Sequence, residues 1–282
     1  TTNEDTALTF NAANSNLISV ADADGGDLTV TLEVDNGTIT LSQTTGLSFD
    51  AGADGTGSMT ITGTIANINA AIDGMQYQGD SNFTGADTLT VTTDDGSTQD
   101  IDTVDITVGA VNDAPVNTIQ DSTVSVAEDG TLTFNAANSN LISVSDADNS
   151  SLTVTLSVSN GTITLSQTTG LSFDAGADGT ATMTISGTTA NINAALDGMQ
   201  YEPDADYNGS DTLNITTSDG SLQDVDAASV TITSADDTPI NTVQDSTVDT
   251  DEDTTLTFNA ANSNLISVND IDTGSLTVTL EV

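Results

Sequence analysis

Apolar and polar residues alternate along most of this chain. In Leu28–Val34 (L-T-V-T-L-E-V) and Leu152–Val158 (L-T-V-T-L-S-V) every second residue is aliphatic, with Thr, Ser or Glu between. A period of two in β-branched residues predicts strands with one buried face. The same signal places strands near Thr123–Ala127, Thr131–Asn135, Gly161–Leu165, Ala181–Ser186, Asp211–Thr217 and Ala228–Thr233. Asn160-Gly161, Asp178-Gly179 and Asp219-Gly220 punctuate them as turn signals. One stretch breaks the alternation. Thr188–Met199 sets Ile192, Ala195, Leu196 and Met199 at helical spacing, with Thr188 or Thr189 as a cap and Gly198 as a stop. Roughly seven strands and one short helix per unit give the expected class: all-β, in tandem immunoglobulin-like or cadherin-like β-sandwich domains.

The units are copies. E-D-T-A-L-T-F (Glu4–Phe10), E-D-G-T-L-T-F (Glu128–Phe134) and E-D-T-T-L-T-F (Glu252–Phe258) recur at intervals of 124 residues, each followed by N-A-A-N-S-N-L-I-S-V. Fixed-period similarity marks an array, and a unit of this length buries its own core where a solenoid repeat cannot. Proline appears at the junctions in V-N-D-A-P-V (Val111–Val116) and A-D-D-T-P-I (Ala235–Ile240). It fixes φ and ends strand pairing, as a linker requires. The expected domains are 1–115, a repeat without its first strand; 116–239, a complete repeat; and 240–282, a truncated third. The chain reads as a window on a longer array, with any export signal or anchor elsewhere.

Charge changes the picture. The chain has no Lys, Arg or His against 43 acidic residues, a formal charge of −43. Only six of the acids are Glu; the rest are Asp, a residue of turns and loops. With no side-chain cation, repulsion is relieved by screening, protonation or bound metal ions. The patterned 35% of hydrophobic residues argues against disorder. Absence of Cys excludes disulfides and thiolate chemistry, and absence of His excludes a Ser–His pair and imidazole ligands. Nucleic acid is excluded as a partner because nothing basic can meet phosphate. No apolar run approaches a membrane span.

Carboxylates in loops are the candidate chemistry. Each unit repeats Glu-Asp (Glu4/Asp5, Glu128/Asp129, Glu252/Asp253) and Asp-x-Asp (Asp22/Asp24, Asp146/Asp148, Asp270/Asp272). Asn112-Asp113 and Asp236-Asp237 precede the prolines, and Asp87 and Asp211 open strands. Calcium takes six to eight oxygens from flexible loops, so these clusters point to Ca²⁺. The plainer alternative is a solubilising surface. Against it, Asp148 is retained while the next three positions change from Gly25-Gly26-Asp27 to Asn149-Ser150-Ser151. Strand parity predicts which clusters meet. One junction would gather Glu4, Asp5, Asn112 and Asp113 with Asp146 and Asp148. The next would gather Glu128, Asp129, Asp236 and Asp237 with Asp270 and Asp272, while Asp87 and Asp211 could join.

The order E-D-T-x-L-T-F, D-A-D-G, Y-E-P-D-A-D-Y-N-G-S-D-T-L-N-I-T-T-S-D-G (Tyr201–Gly220) and V-N-D-A-P resembles the cadherin-like tandem repeats of very large bacterial surface adhesins. That resemblance implies calcium-stiffened extender domains, exported by a type I route and holding an adhesive tip away from the cell. It fits the Glu-Asp, Asp-x-Asp and Asn-Asp-x-Pro positions. The pattern departs at D-A-D-N (146–149), D-I-D-T (270–273) and Asp236 in place of Asn112.

Other motifs fail. The Asp22 loop lacks the third acidic position and distal Glu of an EF-hand. Asp272-Thr273-Gly274 is not repeated in the other copies. Paired carboxylates could cleave glycosides, but there is no Trp and little aromatic surface to hold a sugar. No enzyme is expected. The favoured role is an extracellular calcium-stiffened stalk of an adhesin or surface filament, whose partners are neighbouring repeats and laterally associated copies. A ligand- or cell-binding module is the first alternative, and an acidic surface-layer protein of a halophile the second.

Overall fold

The computed structural model describes residues 1–281. Compactness divides it between Asn112 and Asp113.

Unit 1 contains β1 (Thr2–Asn3), β2 (Leu8–Thr9), β3 (Asp27–Glu33), β4 (Gly37–Thr40), β5 (Leu47–Gly52), β6 (Ser58–Thr64), α1 (Ile65–Ile72), β7 (Gln76–Gly79), β8 (Gly85–Asp94) and β9 (Gln99–Gly109). Its main sheet runs β1-β9-β8-β3-β6-β5, and a smaller sheet runs β2-β7-β4. Alternation puts Leu28, Val30 and Leu32 of β3 and Met59 and Ile61 of β6 into one core with Phe10, Ile68 and Tyr77. The outward Thr residues are not idle: Thr29 bonds Thr62 at 2.8 Å and Thr31 bonds Thr60 at 2.9 Å across β3 and β6.

Unit 2 repeats this plan with more strands. It contains β10 (Val116–Ile119), β11 (Thr123–Ala127), β12 (Leu132–Phe134), β13 (Ile142–Ser145), β14 (Ser151–Ser157), β15 (Gly161–Thr164), β16 (Leu171–Gly176) and β17 (Thr182–Thr188). Then come α2 (Thr189–Leu196), β18 (Met199–Pro203), β19 (Gly209–Ser218), β20 (Gln223–Thr233), β21 (Ile240–Val243) and β22 (Ile266–Asn269). The sheets are β11-β20-β19-β14-β17-β16, β12-β18-β15, β10-β13 and β21-β22. These are tandem β-sandwiches with one short α-helix in each complete unit.

Seven of these strands answer the alternation in the sequence; β10, β13, β16 and β18 do not. Of these, β10 pairs with β13, and β18 with β12 and β15, segments well apart along the chain, so local pattern does not announce them. The helix was expected over Thr188–Met199. It ends instead at Leu196, with Asp197 as its extended C-cap, and Met199 begins a strand. Thr188 caps it, accepting from Asn191 N–H. One residue of the helix does unexpected work. The amide of Asn193 accepts from Val144 N–H at 2.8 Å and donates to Val144 C=O at 2.8 Å, standing in for a neighbouring strand. Asn69 does the same for Val20 in unit 1. In unit 1, β1 pairs in parallel with β9, as β11 pairs with β20 in unit 2.

Candidate metal centre

Two kinds of carboxylate site emerge. The first lies inside each sandwich. Asp211 opens β19 and is 6% exposed. Its carboxylate accepts from Ser159 N–H (3.0 Å), Asn160 N–H (2.8 Å), Thr212 N–H (2.7 Å) and the Tyr201 hydroxyl (3.0 Å). Asp87 repeats the arrangement with Asp35, Asn36 and Thr88 N–H and the Tyr77 hydroxyl. Burial pushes the Asp87 carboxyl up, but donors from Thr88, Tyr77, Asp35 and Asn36 outweigh it and hold the group below its usual range. Burial, then the Asp87 partner, pushes the Tyr77 phenol well above its usual value, and Tyr201 follows with Asp211. These aspartates pin a turn to a strand. Both could join a junction cluster by sequence; the group of three carboxylates gathered in unit 2 is made by Glu128, Asp237 and Asp272.

The second kind lies within unit 2, where the complete copy meets the third. Ligand oxygens of Glu128, Asp237 and Asp272 all lie within 4.8 Å of one another. Each is positioned by backbone bonds. Glu128 follows β11, is 3% exposed, and accepts from Ala235 N–H at 2.6 Å and Asn208 Nδ2 at 3.2 Å. The main-chain N–H of Asp237 donates to Asp272 at 2.6 Å. Asp270 shapes the loop beneath, accepting from Asp272 N–H (3.0 Å) and Thr273 N–H (2.9 Å). Asp237 Oδ2 is buried and has no hydrogen-bond partner. Burial first, then Asp129, Asp272, Asp206 and Glu128, push the Asp237 carboxyl above its usual range.

The donor set suits a hard cation. All the atoms are carboxylate oxygens, and calcium holds oxygens at about 2.3–2.6 Å, so two ligands of one ion lie no more than roughly 5 Å apart. Glu128, Asp237 and Asp272 meet that limit. Asp129 and Asp206 contribute field to Asp237, while Asp236 is exposed. Asp206 was not singled out in the sequence. Its signal was a left-handed backbone, shared with Asn82 at the corresponding place in unit 1, which keeps an oxygen-bearing side chain on a turn.

The earlier copy carries the same local bonds. In unit 1, Val111 N–H donates to Glu4 at 2.6 Å, and Glu4 Oε2 is buried without a hydrogen-bond partner. In unit 2, Asp113 N–H donates to Asp148 at 2.7 Å, and Asp146 accepts from Asp148 and Asn149 N–H. Asp22 and Asp24 form a turn through Asp24 N–H to Asp22 at 2.8 Å. Asp5 and Asn112 are exposed, and so are Glu252 and Asp253 in the third copy.

No helix among the described residues is long and apolar enough to cross a membrane. Among solved structures, the chain is similar to protocadherin gamma B2 extracellular cadherin domains 1–5, at 18% identity over 86% of this chain, with a TM-score of 0.28. It spans 40% of that chain. It is also similar to the fibronectin(III)-like modules of Clostridium thermocellum CbhA (14% identity, 74% of this chain and 87% of that one, TM-score 0.25). A third is surface layer protein SbsC, domains 1–6 (15% identity, 71% and 20%, TM-score 0.24). No curated protein matches the chain. A family profile matches twice, over residues 11–105 and 134–226, once in each of the first two copies and together over more than half of the sequence. The chain therefore belongs to the family described as the Protein GAMETE EXPRESSED 2 domain.

Proposed function

We propose that this chain is a structural segment of an extracellular adhesive or surface array, stiffened by calcium held where successive copies meet. It acts as a spacer and has no catalytic role. The carrying observation is the gathering of Glu128, Asp237 and Asp272 within 4.8 Å in a chain without Lys, Arg or His. Three carboxylates brought together repel, and no side chain here can neutralise them. A divalent cation removes that repulsion and links β11, the linker and the loop after β22 into one node. Glu128 and Asp272 would supply ligands from the two copies, and Asp237 from the linker between them. The role of an extender in a large secreted bacterial adhesin follows from the motif order. It fits a repeat whose copies differ only mildly, since a ligand-reading module would vary its loops.

Thermal melting at fixed ionic strength, with calcium and with chelator, tests the proposal. Binding to the folded chain alone raises the midpoint, by linkage. An unchanged midpoint overturns it. An equal response to sodium chloride would assign the acidity to salt adaptation instead.

A further inference from the structure

Two strands from opposite ends of the complete copy lie side by side. β11, near its start, pairs with β20, its last strand, through five partners from Thr123↔Ser229 to Ala127↔Thr233. This pairing is parallel, whereas every other strand pair of unit 2 among the described residues is antiparallel. Bonds continue it at both ends. Ser229 N–H donates to Ser122 C=O at 2.8 Å, and Glu128 N–H donates to Thr233 C=O at 3.0 Å. The Glu128 carboxylate adds a link just past β20, accepting from Ala235 N–H at 2.6 Å. Unit 1 is closed by the same staple: Glu4 N–H donates to Gly109 C=O at 2.9 Å, and Glu4 accepts from Val111 N–H.

Direction gives this pairing a mechanical meaning. In a chain under tension, the pull enters the copy through β10 at the start of β11 and leaves it at the end of β20. Those two points lie at opposite ends of the pair, so the strands are drawn past each other along a shared axis. All the hydrogen bonds between them are then strained at once and must fail together. An antiparallel pair pulled apart at two adjoining ends, such as the open end of β19 and β20, peels one bond at a time. Shear therefore raises the barrier to forced unfolding, which is governed by the unfolding rate.

Successive peptide groups of a strand face opposite sides, so the bonds at the two ends identify the groups between. Ser122 and Glu128 face β20, hence Val124 and Val126 do too, while Thr123, Ser125 and Ala127 face away. The Thr233 hydroxyl donates to Val126 C=O at 3.4 Å, in agreement. Val124 and Val126 also pack against the core.

We propose that β11 and β20, closed by Glu128, form a shear clamp by which each copy resists tension along the chain. This is a function beyond spacing, which needs only length. The clamp is made of main-chain bonds and one side-chain acceptor and does not rest on calcium.

Single-molecule force spectroscopy on the full chain tests it, with constant load applied at the two ends in chelator. Unfolding of residues 1–112 is the internal reference. β11 is an edge strand, where proline is tolerated. Val126→Pro removes one N–H facing β20 and should shorten the lifetime of the complete copy by about tenfold, the loss of one hydrogen bond from the barrier. Val124→Pro removes the preceding one and should act alike. Ser125→Pro removes an N–H that faces away and should leave the lifetime near that of the parent. Asp211→Ala lies off the path of the pull, so it should lower stability in urea yet keep the lifetime under load. Circular dichroism checks that each variant keeps the fold. Equal shortening by Ser125→Pro overturns the proposal. So does a lifetime unchanged by both valine variants, or lifetimes that simply follow urea stability.

Discussion

Asp211 and Asp237 belong to the same unit, and both are drawn in from solvent, yet their surroundings are opposite. Asp211 meets three main-chain N–H groups from two segments and a phenol. Asp237 meets other carboxylates and keeps a buried oxygen with no donor. The difference teaches how an all-acidic chain assigns roles to one residue type. Where the backbone turns its N–H groups inward, the carboxylate replaces a missing strand partner and fixes a corner. Where backbone N–H groups go to other members of a cluster, charge is left for an ion from outside. Donor supply, rather than burial, separates a structural aspartate from the ligand proposed here.

Removing Asp211 should have the largest effect. Asp211→Ala removes the acceptor of the Ser159, Asn160 and Thr212 N–H groups and one of the two acceptors of the Tyr201 hydroxyl, each bond worth about 1 kcal/mol or more. Urea unfolding should show a loss of roughly 3 kcal/mol or more, the same in calcium and in chelator. A calcium-dependent loss would erase the contrast between the two sites.

Replacing Asp237 should do the reverse. Asp237→Asn removes like-charge repulsion, so the variant should match or exceed the parent in chelator and lose much of the calcium-induced rise in melting temperature. Calcium affinity should fall by roughly tenfold or more, since ligand charge sets it. Titration calorimetry measures this directly.

Acid should also separate the sites. The folded-state Asp87 carboxyl is lowered, so it contributes stability above its unfolded value of about 3.9, and that contribution is lost as pH falls through the folded value. The Asp237 carboxyl is raised, so its charge opposes folding above the folded value, and acidification through that value relieves the cost. Calcium-free melting temperatures should therefore rise as pH first falls from neutrality, then drop below about pH 4. In calcium the initial rise should vanish, because protons then compete with the ion.

The smallest effect is a control remote from both. Thr188→Ala removes the α2 cap and should cost about 1 kcal/mol whether calcium is present or not.

What the sequence reveals follows the range of the interaction. The Asn135 and Asn259 loops show this best. Asn135 N–H donates to Asn140, Asn138 N–H to Asn135, and Asn140 Nδ2 to Thr133, and the third copy repeats all three bonds through Asn259, Asn262, Asn264 and Thr257. These bonds span few residues and form wherever the motif is written. The Asp-x-Asp turns, the Thr188 cap and the alternating strands were legible for the same local reason. The pairing of β10 with β13, the amide of Asn193 on Val144, and the Tyr201–Asp211 contact join distant segments, and no local pattern announces them. The type and position of Asp87 and Asp211 could not reveal the N–H groups that bond them.

The most direct test is a crystal structure of the chain grown in calcium, with anomalous scattering to identify the ion. The account predicts an ion bound by Glu128, Asp237 and Asp272 at about 2.3–2.6 Å, with Asp211 still on Tyr201 and free of metal. Carboxylates splayed apart around water, with no ion among them, would contradict it.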